Sequence, residues 1–147
     1  MKKFFLSIFL LFSILTYSKG HIEEITAPKP IRSNKEKTVF ITGFPTDFET
    51  AISYILENDY DWNVAIINNN GTDSFSIECR SLYYRDFKGY EGIVQFTDLR
   101  TGKRIAVYKF KVSTKSAIIE NIIKTMDSIP GAAAYTNSTT VTNPAVK

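Results

Sequence analysis

The chain has 147 residues, of which 44% are hydrophobic, and it carries a formal net charge of +3 with one cysteine and one histidine. A single cysteine excludes an internal disulfide, so the fold has to rest on an apolar core. A single histidine, His21, excludes Ser–His–Asp and Cys–His catalytic sites and His-rich zinc sites from the central part of the chain. We therefore expect no cofactor, no metal site and no catalytic residue among the standard motifs.

The first 20 residues have the order of a secretory signal peptide: two lysines, an apolar run and then small residues. The apolar run covers about 12 residues, fewer than the roughly 20 that a membrane-spanning helix needs. We predict cleavage after Ser18 or Gly20, which leaves no transmembrane span, and export to the periplasm or the extracellular space. The alternative is an uncleaved membrane anchor. Without Lys2 and Lys3 the remaining chain has 16 positive and 15 negative groups, or +1.

Composition divides the rest of the chain into three parts. Residues 21–37 contain two prolines and charges of both signs, which is typical of an extended linker. Residues 38–129 alternate apolar and polar positions and predict a single α+β domain. Residues 130–147 are rich in Ala, Thr, Asn and Ser, which predicts a disordered tail.

The central part predicts seven elements in the order β-α-β-β-β-β-α. Strands are predicted at 38–42, 62–67, from 74, at 92–98 and at 104–112, with a bulge near Ser81 because the alternation changes phase there. Cys79 lies on the apolar side of the third strand, which predicts a buried thiol. Thr46 and Glu49 form a predicted capping box for the first helix. The two helices carry apolar stripes at helical spacing: Phe48, Ala51, Ile52, Ile55 and Leu56; then Ile118, Ile119, Ile122, Ile123 and Met126.

These patterns predict a two-layer α+β sandwich. Its mostly antiparallel sheet has about five strands, and both helices pack on one face, because each strand has one apolar side and each helix one apolar stripe. The unit of first strand, helix and second strand is compatible with a parallel crossover.

The charges of the domain are unevenly distributed. Residues 38–79 hold seven acidic residues and no basic one, whereas residues 80–124 hold ten basic and four acidic residues. One interpretation is mutual neutralisation on the folded surface. The other is a bipolar surface that docks on a charged partner or, by self-association, on a second copy.

The segment between the third and fourth strands is the most distinctive part of the sequence. It concentrates aromatic and basic side chains, the types that anchor binding interfaces. We predict that it binds a protein or a glycan partner; export argues against a nucleic acid. The alternative is aromatic packing beneath a β-connection. The predicted partner-binding residues are Tyr83, Tyr84, Arg85, Phe87, Lys88 and Tyr90.

A rival site lies at the end of the first helix, where Glu57, Asp59 and Asp61 alternate. Such carboxylates could serve a small carboxylate-dependent hydrolase of the cell envelope. A calcium loop is not matched, because the position that needs glycine is Val64 and the closing glutamate position is Asn70. The leading prediction is a small exported, non-catalytic binding or adaptor module.

Overall fold

The computed structural model of the chain describes residues 20–66 and 74–135. The predicted leader through residue 19, residues 67–73 between the second and third predicted strands, and the predicted tail beyond residue 135 lie outside the described residues. Two helices are described, α1 (Thr46–Asp59) and α2 (Lys115–Asp127). Within the described ranges, no helix is long and apolar enough to cross a bilayer. The strands are β1 (His21–Glu24), β2 (Thr38–Thr42), β3 (Asn63–Ala65), β4 (Phe75–Arg85), β5 (Gly89–Asp98) and β6 (Lys103–Ser113).

The strands form one mixed sheet in the order β1-β6-β5-β4-β2-β3. The pairs β1–β6, β5–β6 and β4–β5 are antiparallel, and β2 is parallel to both β3 and β4. The predicted α+β class is confirmed, with six strands where about five were expected. Helix α1 connects the parallel neighbours β2 and β3, as the β-α-β pattern indicated.

The apolar sides of the strands and both helix stripes meet in one core. Phe75, Ile77 and Cys79 on β4 are buried opposite Val94 and Phe96 on β5. The side chains buried from the helices are Phe48, Ile52 and Leu56 of α1 and Ile118, Ile119, Ile122, Ile123 and Met126 of α2. Because all of these belong to a single cluster, both helices cover the same face of the sheet. Full burial of one such side chain stabilises the fold by about 1.5–3 kcal/mol.

Two details of β4 agree with the sequence pattern. The pairing with β5 shifts between Cys79 and Ser81, which leaves Arg80 as the extra residue of a bulge. The thiol of Cys79 is buried, and burial raises its pKa. Cys79 is therefore a core residue, as predicted.

The predicted capping box at Thr46 and Glu49 is wrong. Helix α1 begins one residue earlier than a Thr46 cap requires, with Pro45 at the N-cap position and no side-chain capping bond. The amides of Phe48 and Glu49 instead donate to the carbonyl of Pro45, at 3.0 and 3.1 Å. Proline starts the helix here because its ring already fixes φ, at −58°. Helix α2 does have a side-chain cap, since Thr114 accepts from the amide of Ala117 at 3.2 Å.

The segment predicted as an extended linker is fastened to the domain. His21–Glu24 forms edge strand β1, and Ile31 is buried and donates its amide to the carbonyl of Pro130 at 2.8 Å. Pro130 is the first residue of the predicted tail, and Ala132, two residues later, is buried as well. Strand β1 has one apolar residue in four, so its sequence gives no alternation to detect.

Arg100, in the turn between β5 and β6, joins this N-terminal segment to the sheet. Its guanidinium contacts both carboxylate oxygens of Asp98 at 2.9 Å and a carboxylate oxygen of Glu36 at 3.1 Å. It also donates to the carbonyls of Lys29 and Pro30. Asp98 is fully buried, and its contacts with the guanidinium offset part of the cost of removing the carboxylate from water.

Candidate functional site

The predicted partner-binding residues occupy the end of the β4–β5 hairpin. The two strands stay paired from Phe75 and Asp98 to Arg85 and Gly89. A turn over Asp86–Lys88 closes the hairpin, with the amide of Lys88 donating to the carbonyl of Arg85 at 2.9 Å. The half of the hairpin that is distant from the turn is buried under the helices. The half next to the turn carries mostly exposed side chains, so the hairpin tip extends beyond the core.

Three large aromatic side chains are exposed at this tip. Phe87 is 104% exposed, and Tyr83 and Tyr84 are 66% and 61% exposed. Tyr83 and Tyr84 are neighbours on one strand and therefore point to opposite faces of the sheet. Arg85 and Lys88 are exposed as well. The structure thus brings five of the six predicted residues to the exposed end of the hairpin, on both of its faces, and we call this end the aromatic tip: Tyr83, Tyr84, Arg85, Phe87 and Lys88.

Phe87 has a backbone conformation that disfavours it. Its φ is +61°, in the left-handed region where Gly or Asn is usual. This conformation destabilises a residue with a bulky side chain by about 1–2 kcal/mol. Because the ring is fully exposed, burial of its apolar surface does not offset this destabilisation. Folding therefore does not explain a phenylalanine at this position, and such a residue points to a role in recognition.

Tyr90, the sixth predicted residue, supports the tip from below. Its ring lies edge-on to Phe48 with centroids 5.2 Å apart, and the ring of Tyr84 lies 4.9 Å from it. Phe48 is a buried core residue of α1. The stack connects the aromatic tip to the core and holds Tyr84 in place. Of the predicted aromatics, Tyr90 is the one that packs under the connection.

Charges at the tip nearly cancel. The guanidinium of Arg85 pairs with the carboxylate of Glu91 at 2.8 Å, across the hairpin. Asp86 adds a second acid beside Arg85, while Lys88 makes no ion pair within the described part of the chain. The surface predicted as aromatic and basic is therefore aromatic and close to neutral. Sequence spacing gave no sign of this, because the Arg85–Glu91 pair depends on the register of the hairpin.

Val112 extends the apolar surface next to the hairpin. The alternation of β6 predicts that it shares the inner face with Tyr108 and Phe110. Instead it is 43% exposed with φ +60°, an unfavourable value for a β-branched residue. The cause is a register shift between β5 residues Tyr90 and Gly92, which makes Ser113 the partner of Tyr90.

The carboxylates of the rival site lie at the opposite end of α1 from its start near the tip. Glu57 and Asp59 are exposed in the last turn, and Asp61 follows with φ +53°. Within residues 20–66 and 74–135, no group of three or more His, Cys, Asp or Glu side chains is placed to hold a metal ion. Glu57 lines an open cavity of about 400 Å³ along α1 together with Glu49 and Tyr54, but Asp59 and Asp61 do not line it.

In the part of the chain that the structure describes, ion pairs join the acidic and basic halves at two places. Lys115 of α2 contacts Asp47 of α1 at 2.6 Å, and its hydrogen bond lowers the pKa of the Asp47 carboxyl below the usual range. Arg80 pairs with Glu78 at 3.1 Å. Both are exposed pairs, which contribute little to stability.

No protein-family model and no curated protein sequence matches the chain. Among solved structures, it is similar to the PelC dodecamer from Paraburkholderia phytofirmans in two crystal forms, one of them of a point variant. The identities are 14% and 13%, the shares covered are 78% and 77% of this chain and 99% of PelC, and the TM-score is 0.44 in both cases. Values this low leave the function to be argued from the geometry.

Proposed function

We propose that the protein is a small exported, non-catalytic binding module that holds a protein partner through its aromatic tip. The observation that carries this proposal is Phe87, fully exposed in a left-handed conformation at the end of a hairpin that the core anchors. Binding a partner would return the free energy that this conformation costs the isolated domain.

The shape of the tip favours a protein over a glycan. Phe87 lies in the turn that ends the hairpin, with exposed Tyr83 and Tyr84 shortly before it, so the tip is a projecting surface. A convex aromatic knob fits an apolar groove of a protein, where buried Tyr and Phe anchors contribute most of the binding free energy. Small-molecule ligands are usually held in concave sites. Near-neutral charge at the tip agrees with an apolar contact of this kind.

The supporting stack gives the tip a second useful property. Tyr84 rests on Tyr90, and Tyr90 rests on buried Phe48. An aromatic side chain held in place before binding loses less conformational entropy on binding. Export remains part of the proposal and rests on the basic, apolar and small-residue order of residues 1–20.

Affinity capture with substituted proteins tests the proposal. The protein, purified from cells that express the full chain, serves as bait for an envelope extract of the source cells. The test variant combines Tyr83→Ser, Tyr84→Ser and Phe87→Ser, and the matched control is Tyr54→Ser, because Tyr54 is 64% exposed on α1, away from the tip. We expect the triple variant to fold, and to lose a protein that the control retains.

Retention of the same partner by the folded triple variant would refute a role for the tip. Loss of a captured glycan, in place of a protein, would keep the tip as the binding surface but would refute the protein partner. Circular dichroism and urea unfolding of each variant distinguish lost binding from lost structure.

A further inference from the structure

A cavity lies between the C-terminal half of α2 and the segment that follows β1. Its volume is about 670 Å³, which is within the range of about 300–1,000 Å³ that is usual for ligand sites. Aliphatic side chains form much of its lining, among them buried Ile105, Ala106 and Ile129. The residues of the aromatic tip do not line it. The cavity is therefore a second concave site with its own chemistry.

The cavity exists because regular pairing stops at the end of β1. The strand ends at Glu24, and the next two amides, of Ile25 and Thr26, share the carbonyl of Ile105 at 2.9 and 3.4 Å. The segment then continues through Pro28, which has no amide to donate to a neighbouring strand. A gap therefore remains between this segment and α2.

Helix α2 lines the cavity with hydrogen-bond acceptors. The side-chain amide of Asn121 uses both of its N–H groups, donating to the hydroxyl of Tyr108 at 3.1 Å and to the carbonyl of Ala117 at 2.8 Å. The hydroxyls of Thr125 and Ser128 each donate to a backbone carbonyl of α2, at 2.7 and 2.8 Å. Their oxygen atoms, and the amide oxygen of Asn121, remain able to accept. This side of the cavity suits a ligand that carries N–H groups.

Two side chains of opposite charge also line the cavity. Glu24 comes from β1 and Lys124 from α2, and both are exposed. They do not pair with each other: the ammonium of Lys124 contacts Glu120 at 2.6 Å, and Glu24 makes no ion pair within residues 20–66 and 74–135. An exposed pair such as Lys124–Glu120 is weak, so a ligand carboxylate can compete for the ammonium. The cavity thus presents an anion from the sheet and a cation from the helix.

We propose that this cavity binds a short apolar peptide whose two termini are free. The peptide ammonium faces Glu24 and its carboxylate faces Lys124, while its apolar side chains contact the aliphatic lining. Its N–H groups donate to the acceptors of α2. A fatty acid would match Lys124 but leave Glu24 beside a hydrocarbon chain, and a cationic amphiphile would leave Lys124 without a match. A zwitterion matches both charges.

Titration with L-leucyl-L-leucine tests the proposal. The dipeptide is added to isotope-labelled protein purified from cells that express the full chain, and backbone amide shifts are followed by NMR. We expect saturable shifts at Thr26, Ala106 and Thr125, with a Kd on the order of 0.1–1 mM because the ligand is small. Absence of saturable shifts at these residues up to about 10 mM dipeptide would overturn the proposal.

Charge variants test the two contacts with the termini. Glu24→Gln and Lys124→Met should each weaken binding about fivefold. Glu23→Gln is the matched control, because Glu23 is the neighbouring acid on β1, pairs with Lys109 at 3.8 Å and does not line the cavity. It should bind like the unchanged chain. If Glu24→Gln and Lys124→Met do so too, the ligand does not use these charges and the proposal is wrong.

Modified dipeptides test the orientation. N-acetyl-leucyl-leucine lacks the ammonium, so it should bind the unchanged chain about fivefold more weakly than the dipeptide does, but bind Glu24→Gln as well as the dipeptide does. Leucyl-leucinamide lacks the carboxylate and should behave in the same way towards Lys124→Met. Equal losses in all proteins would contradict the assigned contacts. Decanoate that binds more tightly than the dipeptide and is unaffected by Glu24→Gln would make this a fatty-acid site instead.

A blocked cavity separates this proposal from the role of the tip. Ala27→Trp places a large side chain at an exposed position of the lining and should abolish the shifts; Ser128→Trp replaces it if it fails to fold. The triple serine variant of the tip should bind the dipeptide normally. Ala106 at the cavity and Ser113 at the base of the hairpin are roughly 23 Å apart along β6, at about 3.3 Å per residue. Binding by the Ala27→Trp protein would overturn the site, and the capture experiment on the tip would keep its own result.

Discussion

Replacement of Phe87 by asparagine should make the protein more stable and unable to bind. The ring is fully exposed, so its removal takes no apolar contact from the core. Its backbone has φ +61°, a conformation that asparagine tolerates much better than phenylalanine. Stabilisation and loss of binding are opposite consequences of one substitution. A residue that merely helps the domain to fold would give neither.

The magnitude follows from the cost of the left-handed conformation. A bulky residue pays about 1–2 kcal/mol there, and asparagine avoids much of it, so we expect the free energy of unfolding to rise by about 1 kcal/mol. For a domain of this size that change corresponds to a rise of about 4–8 °C in the melting temperature. Urea unfolding with an unchanged m-value measures it directly, because the two proteins bury the same surface.

Phe48→Ala is the matched control, since it removes the same side chain from a buried position. Phe48 is 1% exposed and contacts Tyr90, so its loss should destabilise the fold by about 3–5 kcal/mol. If Phe87→Asn also destabilises the protein, by 1 kcal/mol or more on the same urea scale, the ring is packed in solution and the reasoning from its exposure is wrong.

Three further predictions concern the scaffold. Arg100→Met removes the guanidinium that contacts the fully buried carboxylate of Asp98. Urea unfolding should show that the free energy of unfolding falls by about 3–5 kcal/mol. A loss below about 1 kcal/mol would contradict the role given to this contact. NMR titration should find the pKa of Asp47 below 3.8. The pair with Lys115 therefore contributes to folding stability above pH 3.8, and this contribution is lost as the pH falls through the lowered pKa. Lys115→Met should move the pKa back up, and an unmoved pKa would exclude the pair as the cause of the shift. The thiol of Cys79 should react with a thiol reagent only on unfolding, because burial keeps it protonated and shielded; rapid reaction of the native protein would show that β4 opens.

Sequence reasoning recovered the elements whose pattern is set by local burial. The stripes of α1 and α2 and the strand at Thr38–Thr42 agree with the structure because side-chain spacing alone decides which face is buried. The phase change near Ser81 located the β4 bulge for the same reason. Each of these features can be found within about ten consecutive residues.

Features that depend on distant partners were missed. Strand β1 exists because β6 offers an edge, and only Ile22 of its four residues packs against the core. The buried Asp98 lies in what the pattern indicated as an ordinary strand end, and its carboxylate is held by the guanidinium of Arg100 and the amide of Lys29. Asp98 and Arg100 contact the segment at 29–36, and no spacing in the sequence indicates that contact.

Buried Lys37 is a third example. The sequence assigned it to a linker, yet it is 1% exposed at the C-terminal end of α1. Its ammonium donates to the carbonyl of Tyr60 and lies 5.7 Å from the ring centre of Trp62. Burial lowers its pKa, and the nearby acids Asp61 and Asp127 act in the opposite direction. A cation at this position satisfies a carbonyl at the helix end.

The environment of the predicted binding residues could be derived from the sequence only in part. Aromatic enrichment between two strands predicted a binding surface at Tyr83, Tyr84 and Phe87, and the structure leaves all three side chains exposed. The distinction between exposed Phe87 and supporting Tyr90 required the hairpin register. Neutralisation of Arg85 by Glu91 required it too.

Photo-crosslinking from the tip tests the central claim most directly. The photoreactive residue p-benzoyl-phenylalanine is introduced at Phe87 in the full chain and, as a control, at Tyr54, and living cells are irradiated. We predict a covalent adduct with a protein, either a second copy or another chain, from position 87 and none from position 54. Absence of an adduct at position 87, or equal adducts at both positions, would contradict the role of the aromatic tip as the binding surface.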